Sequence, residues 1–332
     1  MVQDFNLSRD NGIFAVHEGY GSALYMLDLP LPLPGFDHHL SSWLLRDQRG
    51  GRNILVDTGP SASVAHLGRS LRSVGVDRLD LVLLTHVHAD HAGGVADLLE
   101  LFPEAMVLAP ERGVRHLVRP ERLEEATRAT LGDEIADAFG PIRPAAPDRF
   151  LDASSPLLDR ITVILTPGHA SHHNSYVLKA GFGRVLFPGE AAGVGLGEAV
   201  RPLWLEGGEV PATPPYRFPA TPPRLDGAAM YRSMELLMPE RGAKYLCFSH
   251  YGWTEDAAGT LEGAVIQFRE WEERARACAV PEEDAAVEAL FEEVTREDPQ
   301  LGLWRYLRPE QRDKEGYFIR NSLRGVVRWV RS

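Results

Sequence analysis

Four apolar runs in this 332-residue chain each end on a side chain that has a lone pair to give. LDLVLLTH closes on His86, ITVILTPGH on His169, GRVLFPGE on Glu190 and KYLCFSH on His250. Runs this short, aliphatic and β-branched, with Gly and Pro as punctuation, read as strands. A fold that uses those donors together must bring the four strand ends to one sheet edge, and few architectures do so. The first run continues into THVHADHAGG, residues 85–94, which crowds His86, His88, Asp90 and His91 between a strand and a helix starting near Gly94. A strand-to-helix loop lies outside the ladder and can aim several side chains at one point. Imidazole with carboxylate suits zinc, iron or manganese, and the lack of cysteine in the cluster argues against a closed structural zinc site.

From Ser41 onward the strand signals SSWLL, NILVDTG, AMVLAP and NSYVLKAG alternate with helical stretches. VADLLELF sets Val95, Leu98, Leu99 and Phe102 on one helical face, and SVAHLGRSLRSVG does the same with Val64, Leu67 and Leu71. The charge-rich segment 121–139 reads as helix covering a sheet edge. The fold class is α/β and layered. Residues 201–224 are too rich in Pro for regular helix or central strand. A loop of that length more often binds or covers a ligand than merely connects, and Trp204, Tyr216 and Phe218 give it apolar matter to offer. After Trp253 only helical patterns remain, one with Leu261, Val265, Phe268 and Ala275 on a face, one with Val287, Leu290, Phe291 and Val294, and a last segment NSLRGVVRWV. The expected division is a large domain over residues 1–253 and a helical extension over 254–332.

The formal charge of −12 disfavours non-specific binding to phosphate backbones, so no nucleic-acid partner is expected. The N-terminal segment MVQDFNLSRDNG has no apolar core of a signal peptide, and no run of about 18 apolar residues occurs. No membrane association and a cytoplasmic location are the expectation. Two cysteines, Cys247 and Cys278, are too few for a disulfide framework.

VDTG at 56–59, HVHADH at 86–91, TPGH at 166–169, PGE at 188–190 and SH at 249–250 together resemble the five motifs of the metallo-β-lactamase superfamily. The resemblance spans roughly residues 40–252. It implies a four-layer αβ/βα sandwich as the catalytic domain, with metals at one edge and the C-terminal helices appended. TPGHASHHNSYVL and the Pro-rich loop before CFSHYG look like a glyoxalase II-like or lactonase-like branch. By position, the resemblance gives His86, His88 and His169 to a first metal and Asp90, His91 and His250 to a second. Two divalent transition metals follow, with zinc favoured and iron or manganese open. Where the superfamily has a bridging aspartate this chain has Glu190, one methylene longer, which leaves open a bridging role, binding to one metal only, or a mononuclear site. Asp57 is expected behind the ligands, orienting the histidine loop.

The implied chemistry is hydrolysis by a metal-bound hydroxide of a small-molecule ester, thioester, lactone or phosphodiester, with Asp90 as proton acceptor. His172, His173, Tyr216, Phe218 and Tyr251 are the candidates for substrate contact, and His38 and His39 precede a strand that could bring them to the metal edge. Lactonases of the superfamily usually carry a tyrosine soon after the bridging carboxylate. Here AAGVGLG follows Glu190, with Tyr216, Tyr251 or Tyr25 as substitutes. Two alternatives stand beside the hydrolase: a mononuclear-iron oxidoreductase resembling persulfide dioxygenases, and a metal-binding sensor that has lost turnover. Monomer and homodimer both stay open.

Overall fold

Each of the eight runs read as strands from Ser41 onward is a strand, and a hairpin ahead of them adds two more. The first sheet holds β1 (Ile13–Gly19), β2 (Ser22–Asp28), β3 (Ser41–Asp47), β4 (Arg52–Val56), β5 (Leu81–Leu83) and β6 (Met106–Leu108), side by side in that order. Its first four strands are antiparallel and β4, β5 and β6 are parallel. β7 (Ile161–Leu165), β8 (Asn174–Ala180) and β9 (Gly183–Phe187) belong to the second sheet, and β10 (Val194–Gly195) pairs with β11 (Tyr216–Arg217) in a separate ribbon. β12 (Tyr245–Cys247) and β13 (Trp253–Thr254) complete the second sheet, whose order is β13-β12-β9-β8-β7. This computed structural model describes residues 12–332 except 48–49, 153, 198–213, 220–224 and 303.

The strands read as unbroken apolar runs because most are covered on both faces. Alternate residues divide between two cores. Trp43, Ile54, Leu81 and Leu83 of the first sheet meet Tyr176, Val185, Phe187 and Tyr245 of the second in a shared interior. Leu44, Leu55 and Val82 face outward under α1 (Val64–Ser73), α2 (Ala89–Ala92) and α3 (Val95–Leu101). α4 (Glu111–Val118), α5 (Glu121–Leu131) and α6 (Asp133–Phe139) extend that layer. Val177, Leu186 and Leu246 turn the other way, under α7 (Gly227–Leu237), α8 (Ala257–Ala277), α9 (Glu283–Glu297) and α10 (Pro309–Arg331). The result is a helix–sheet–sheet–helix sandwich whose C-terminal helices form the fourth layer.

Two expectations change. Segment 121–139 is two helices broken at Gly132, whose φ of 83° a side chain would resist. α5 packs beside the histidine loop rather than capping a sheet edge. The final helix starts at Pro309, twelve residues before NSLRGVVRWV, because Pro at its first position and the Gln311 Oε1, which accepts from the Arg308 backbone N–H at 3.1 Å, set its start. Among the described residues no helix is long and apolar enough to cross a membrane.

Candidate metal centre

The histidine loop is held from below by Asp57. This residue ends β4 with φ at 58°, a left-handed conformation that Asp tolerates better than most side chains. The turn directs its buried carboxylate back across the sheet edge. Oδ1 accepts from the Thr85 backbone N–H at 2.8 Å, and Oδ2 accepts from Thr85 Oγ1 at 2.8 Å and lies 3.2 Å from His91 Nδ1. In the neutral form that a metal ligand must take, an Nδ1 proton on His91 satisfies Asp57 and leaves Nε2 as the lone-pair nitrogen facing the site. The His91 carbonyl is fixed in turn by Thr58 N and Gly59 N at 2.8 and 3.2 Å.

Each later donor arrives by its own device. The TPGH turn is pressed against α7. A Cβ on Gly168 would lie 2.7 Å from the Met230 Cα, and Ser233 Oγ donates to the Pro167 carbonyl at 2.6 Å. His169 Nε2 thereby stands 3.0 Å from His88 Nδ1. Glu190 is set by His173, whose Nε2 accepts from the Glu190 backbone N–H at 3.1 Å while its Nδ1 lies 2.8 Å from Thr166 Oγ1. The intervening Gly189, at φ 60°, leaves room for that ring: its Cβ would come within 2.4 Å of His173 Nε2. His250 follows β12, and its carbonyl accepts from Ser41 Oγ at 2.5 Å.

Two donor groups result, His86, His88 and His169 in one, and Asp90, His91, Glu190 and His250 in the other, each with its donor atoms within 4.8 Å of one another. Glu190 Oε1 stands between them. It lies 3.2 Å from His91 Nε2, 3.4 Å from His250 Nε2, 3.6 Å from His169 Nε2 and 3.7 Å from His86 Nε2. The extra methylene therefore carries this carboxylate oxygen to a position touching both groups.

The electrostatics suit cations. Burial lowers His86 well below the usual histidine value and His169 to about 3, so the first group presents neutral imidazoles at pH 7. Burial would also raise Asp90 and Glu190, but nearby imidazoles outweigh it and hold both carboxylates charged. Burial likewise opposes charge on His91, yet the carboxylates of Asp90, Asp57 and Glu190 raise it well above its usual value. The second group thus draws positive charge toward itself. His86 Nε2, which faces Glu190, is buried without a hydrogen-bond partner among the described residues, and the Nε2 atoms of His91, His169 and His250 converge on the same carboxylate oxygen. Buried nitrogens crowded in this way are costly unless a cation takes their lone pairs, and the donor set fits one or two divalent ions.

A cavity of about 240 Å³ opens on His88, Asp90, His169, Glu190 and His250. Leu123, Ala126, Thr127, Thr130 and Leu131 of α5 form part of its wall, with Arg217 of β11 and Phe318 and Asn321 of α10. This wall departs from the expected substrate residues. Tyr216 and Phe218, expected to face a ligand, are 1% exposed and belong to the second helical core. Phe218 stacks on Phe268 at 4.4 Å, and the Tyr216 ring lies against Phe248. Their neighbour Arg217 faces the cavity instead, because side chains alternate along a strand. Trp204 lies outside the described residues. Tyr251 is buried against Phe14 and His38, and Tyr25 donates to Glu18, so neither lines the cavity. His173 is a prop for Glu190 rather than a substrate contact. His172 lies beside His88, held to a value of about 4 chiefly by burial. Of the pair ahead of β3, His38 bonds Asp28, whereas His39 is buried 4.8 Å from the His250 ring and meets Lys314 Nζ at 2.9 Å.

The sequence profile of the metallo-beta-lactamase superfamily matches residues 37–250, the stretch that carries every donor described above. The chain belongs to this superfamily. A curated relative, metallo-beta-lactamase fold-containing protein ST1585 of Sulfurisphaera tokodaii, is 31% identical over 170 residues, 49% of this chain and 58% of the relative. The chain thus spans little more than half the length of that protein. The crystal structure of ST1585, described as an archaeal metallo-beta-lactamase superfamily protein from Sulfolobus tokodaii, superposes with a TM-score of 0.54 at 22% identity, covering 85% of this chain and 98% of that one. The metallo-beta-lactamase family protein TTHA1429 from Thermus thermophilus gives a TM-score of 0.57 at 24% identity, over 86% and 93%. At such identities the superpositions establish the superfamily fold.

Proposed function

We propose that this chain is a binuclear metal-dependent hydrolase of a small acyl ester or thioester, with His86, His88 and His169 holding one divalent ion, Asp90, His91 and His250 the other, and Glu190 shared between them. The observation that carries the reading is the position of Glu190 Oε1, within 3.7 Å of imidazole nitrogens of both groups beside an open cavity. Divalent ions in such a setting supply Lewis acidity, which acidifies water and polarises an acyl oxygen. Asp90, with its side chain one-fifth exposed at the cavity wall, orients the attacking water and accepts its proton. The water oxygen bonds to the acyl carbon, the bond to the leaving oxygen or sulfur breaks, and the proton returns to the leaving group. Asp57 and His173 keep His91 and Glu190 in place throughout. Among the described residues no tyrosine lines the cavity, which weighs against the lactonase-like form. Zinc is the favoured ion for a site of this imidazole content. The test is turnover of p-nitrophenyl esters and acyl thioesters by protein of measured metal content. Hydrolysis that disappears on chelation and returns with zinc supports the reading, whereas a fully metallated protein inert on the whole panel refutes it.

A further inference from the structure

We infer that Arg217 and Asn321 form a carboxylate-binding subsite in the metal cavity, so that the substrate is an acyl compound with a second, anionic end. The acyl half of that statement rests on the hydrolase reading; the anionic half stands on the cavity wall alone. Arg217 is 1% exposed and yet lines the cavity. Its Nε donates to Glu315 Oε2 at 2.5 Å and its Nη1 to the Phe218 carbonyl at 3.3 Å, while the Phe318 ring lies 5.1 Å from the guanidinium carbon. The fork is therefore pre-oriented, and Nη2 has no hydrogen-bond partner among the described residues. Glu315 does not consume the whole charge of the arginine, because Lys314 Nζ approaches the same carboxylate at 3.0 Å.

Asn321 supplies the second donor. It is 6% exposed, lines the same cavity, and its Oδ1 accepts from Arg324 Nη1 at 3.0 Å. That bond fixes which way the amide points, and the remaining atom, Nδ2, is buried without a partner among the described residues. A buried N–H left unpaired is unfavourable, and the side chain that carries it lines the cavity. A guanidinium and an amide N–H on one cavity wall ask for an acceptor with negative charge and more than one oxygen, which a planar carboxylate provides. Leu123, Leu131 and Phe318 line the cavity with them and suit a short methylene chain between the two ends.

The experiment is calorimetric binding to the metal-loaded full chain of succinate, glutarate and adipate, each against the monocarboxylate of equal carbon number. One carboxylate of either probe can engage the bound metal, so the ratio of affinities reads the second end. We expect the best-fitting diacid to bind about tenfold or more tightly than its monoacid, the range of a charged hydrogen bond. Asn321→Leu and Arg217→Lys should each lower that ratio at least about threefold. Arg217 is buried against Glu315, so if its variant does not fold, Asn321→Leu decides. Equal affinities for diacid and monoacid in the native protein, or a ratio untouched in the folded variants, overturn the subsite. A diacid preference in a protein that hydrolyses no p-nitrophenyl ester, neutral or carboxylate-ended, keeps the subsite and sinks the hydrolase reading. Ester turnover with no diacid preference does the reverse.

Discussion

Replacing Asp57 by Asn should weaken metal binding at the second group without disturbing the fold. The substitution keeps the size of the side chain and, because Asn also tolerates left-handed backbone, leaves the turn at φ 58° unstrained. What changes is the hydrogen-bond code. The buried Thr85 N–H, 2.8 Å from Oδ1, holds the amide oxygen on its side, so the amide N–H₂ turns toward Thr85 Oγ1 and His91 Nδ1. His91 then accepts at Nδ1 and carries its proton on Nε2, the nitrogen that faces Glu190 at 3.2 Å. A cation can bind His91 only after that proton leaves or the ring breaks its bond to residue 57. Loss of such a supporting carboxylate typically costs about 10- to 100-fold in metal affinity, or about 1.4–2.8 kcal/mol. Competition titration against a zinc chelator should show one equivalent, that of the Asp90, His91 and His250 group, falling by that factor while the equivalent bound by His86, His88 and His169 changes little. Circular dichroism should be native. Native affinity at both equivalents in a folded Asp57→Asn protein would refute the tautomer argument and reduce Asp57 to a turn residue.

Three further substitutions probe the supports around the site. His173→Leu leaves the Glu190 N–H without its acceptor and should cost about 1–3 kcal/mol in denaturant unfolding; unchanged stability would remove His173 from the support of Glu190. Phe218→Ala empties a buried stack on Phe268 and should destabilise by about 3–5 kcal/mol, whereas an effect on KM alone would return Phe218 to the substrate wall. Gly168→Ala places a Cβ against the Met230 backbone at φ 142° and should lower both Tm and occupancy of the His169 group, and a native Tm would show that the TPGH turn can shift freely.

The donors were legible because each follows a strand or occupies the loop after one, and local sequence suffices to say so. Asp57 was legible for the same reason, as the residue where β4 turns. The far wall of the cavity was not, since Phe318 and Asn321 reach it from the last helix and stand 68 and 71 residues beyond the last donor, His250. A signal was nonetheless present. Lys314, Glu315, Asn321 and Ser322 share the buried side of α10 with Phe318, Ile319 and Val326, and charged or amide groups on a buried helix face need partners or a ligand. The loop read as a ligand contact offered its aromatic residues as the obvious candidates. β11 inverts that choice by sending Tyr216 and Phe218 to the core and Arg217 to the cavity. The hairpin of β1 and β2 precedes the first strand signal at Ser41, and its turn at Tyr20 and Gly21 has positive φ at both residues, the geometry of a tight hairpin.

The central claim is that Glu190 joins two donor groups into one binuclear centre. It is tested most directly by elemental analysis of the native protein and of Glu190→Gln, both purified without chelators and then equilibrated with zinc. The substitution removes the carboxylate charge while keeping side-chain length, so it separates bridging from reach. The account predicts two equivalents of metal per native chain, one for each donor group, and a fall toward one in the variant together with loss of ester turnover. A native chain that binds no transition metal, or one that binds the same number with and without the Glu190 carboxylate, would contradict it.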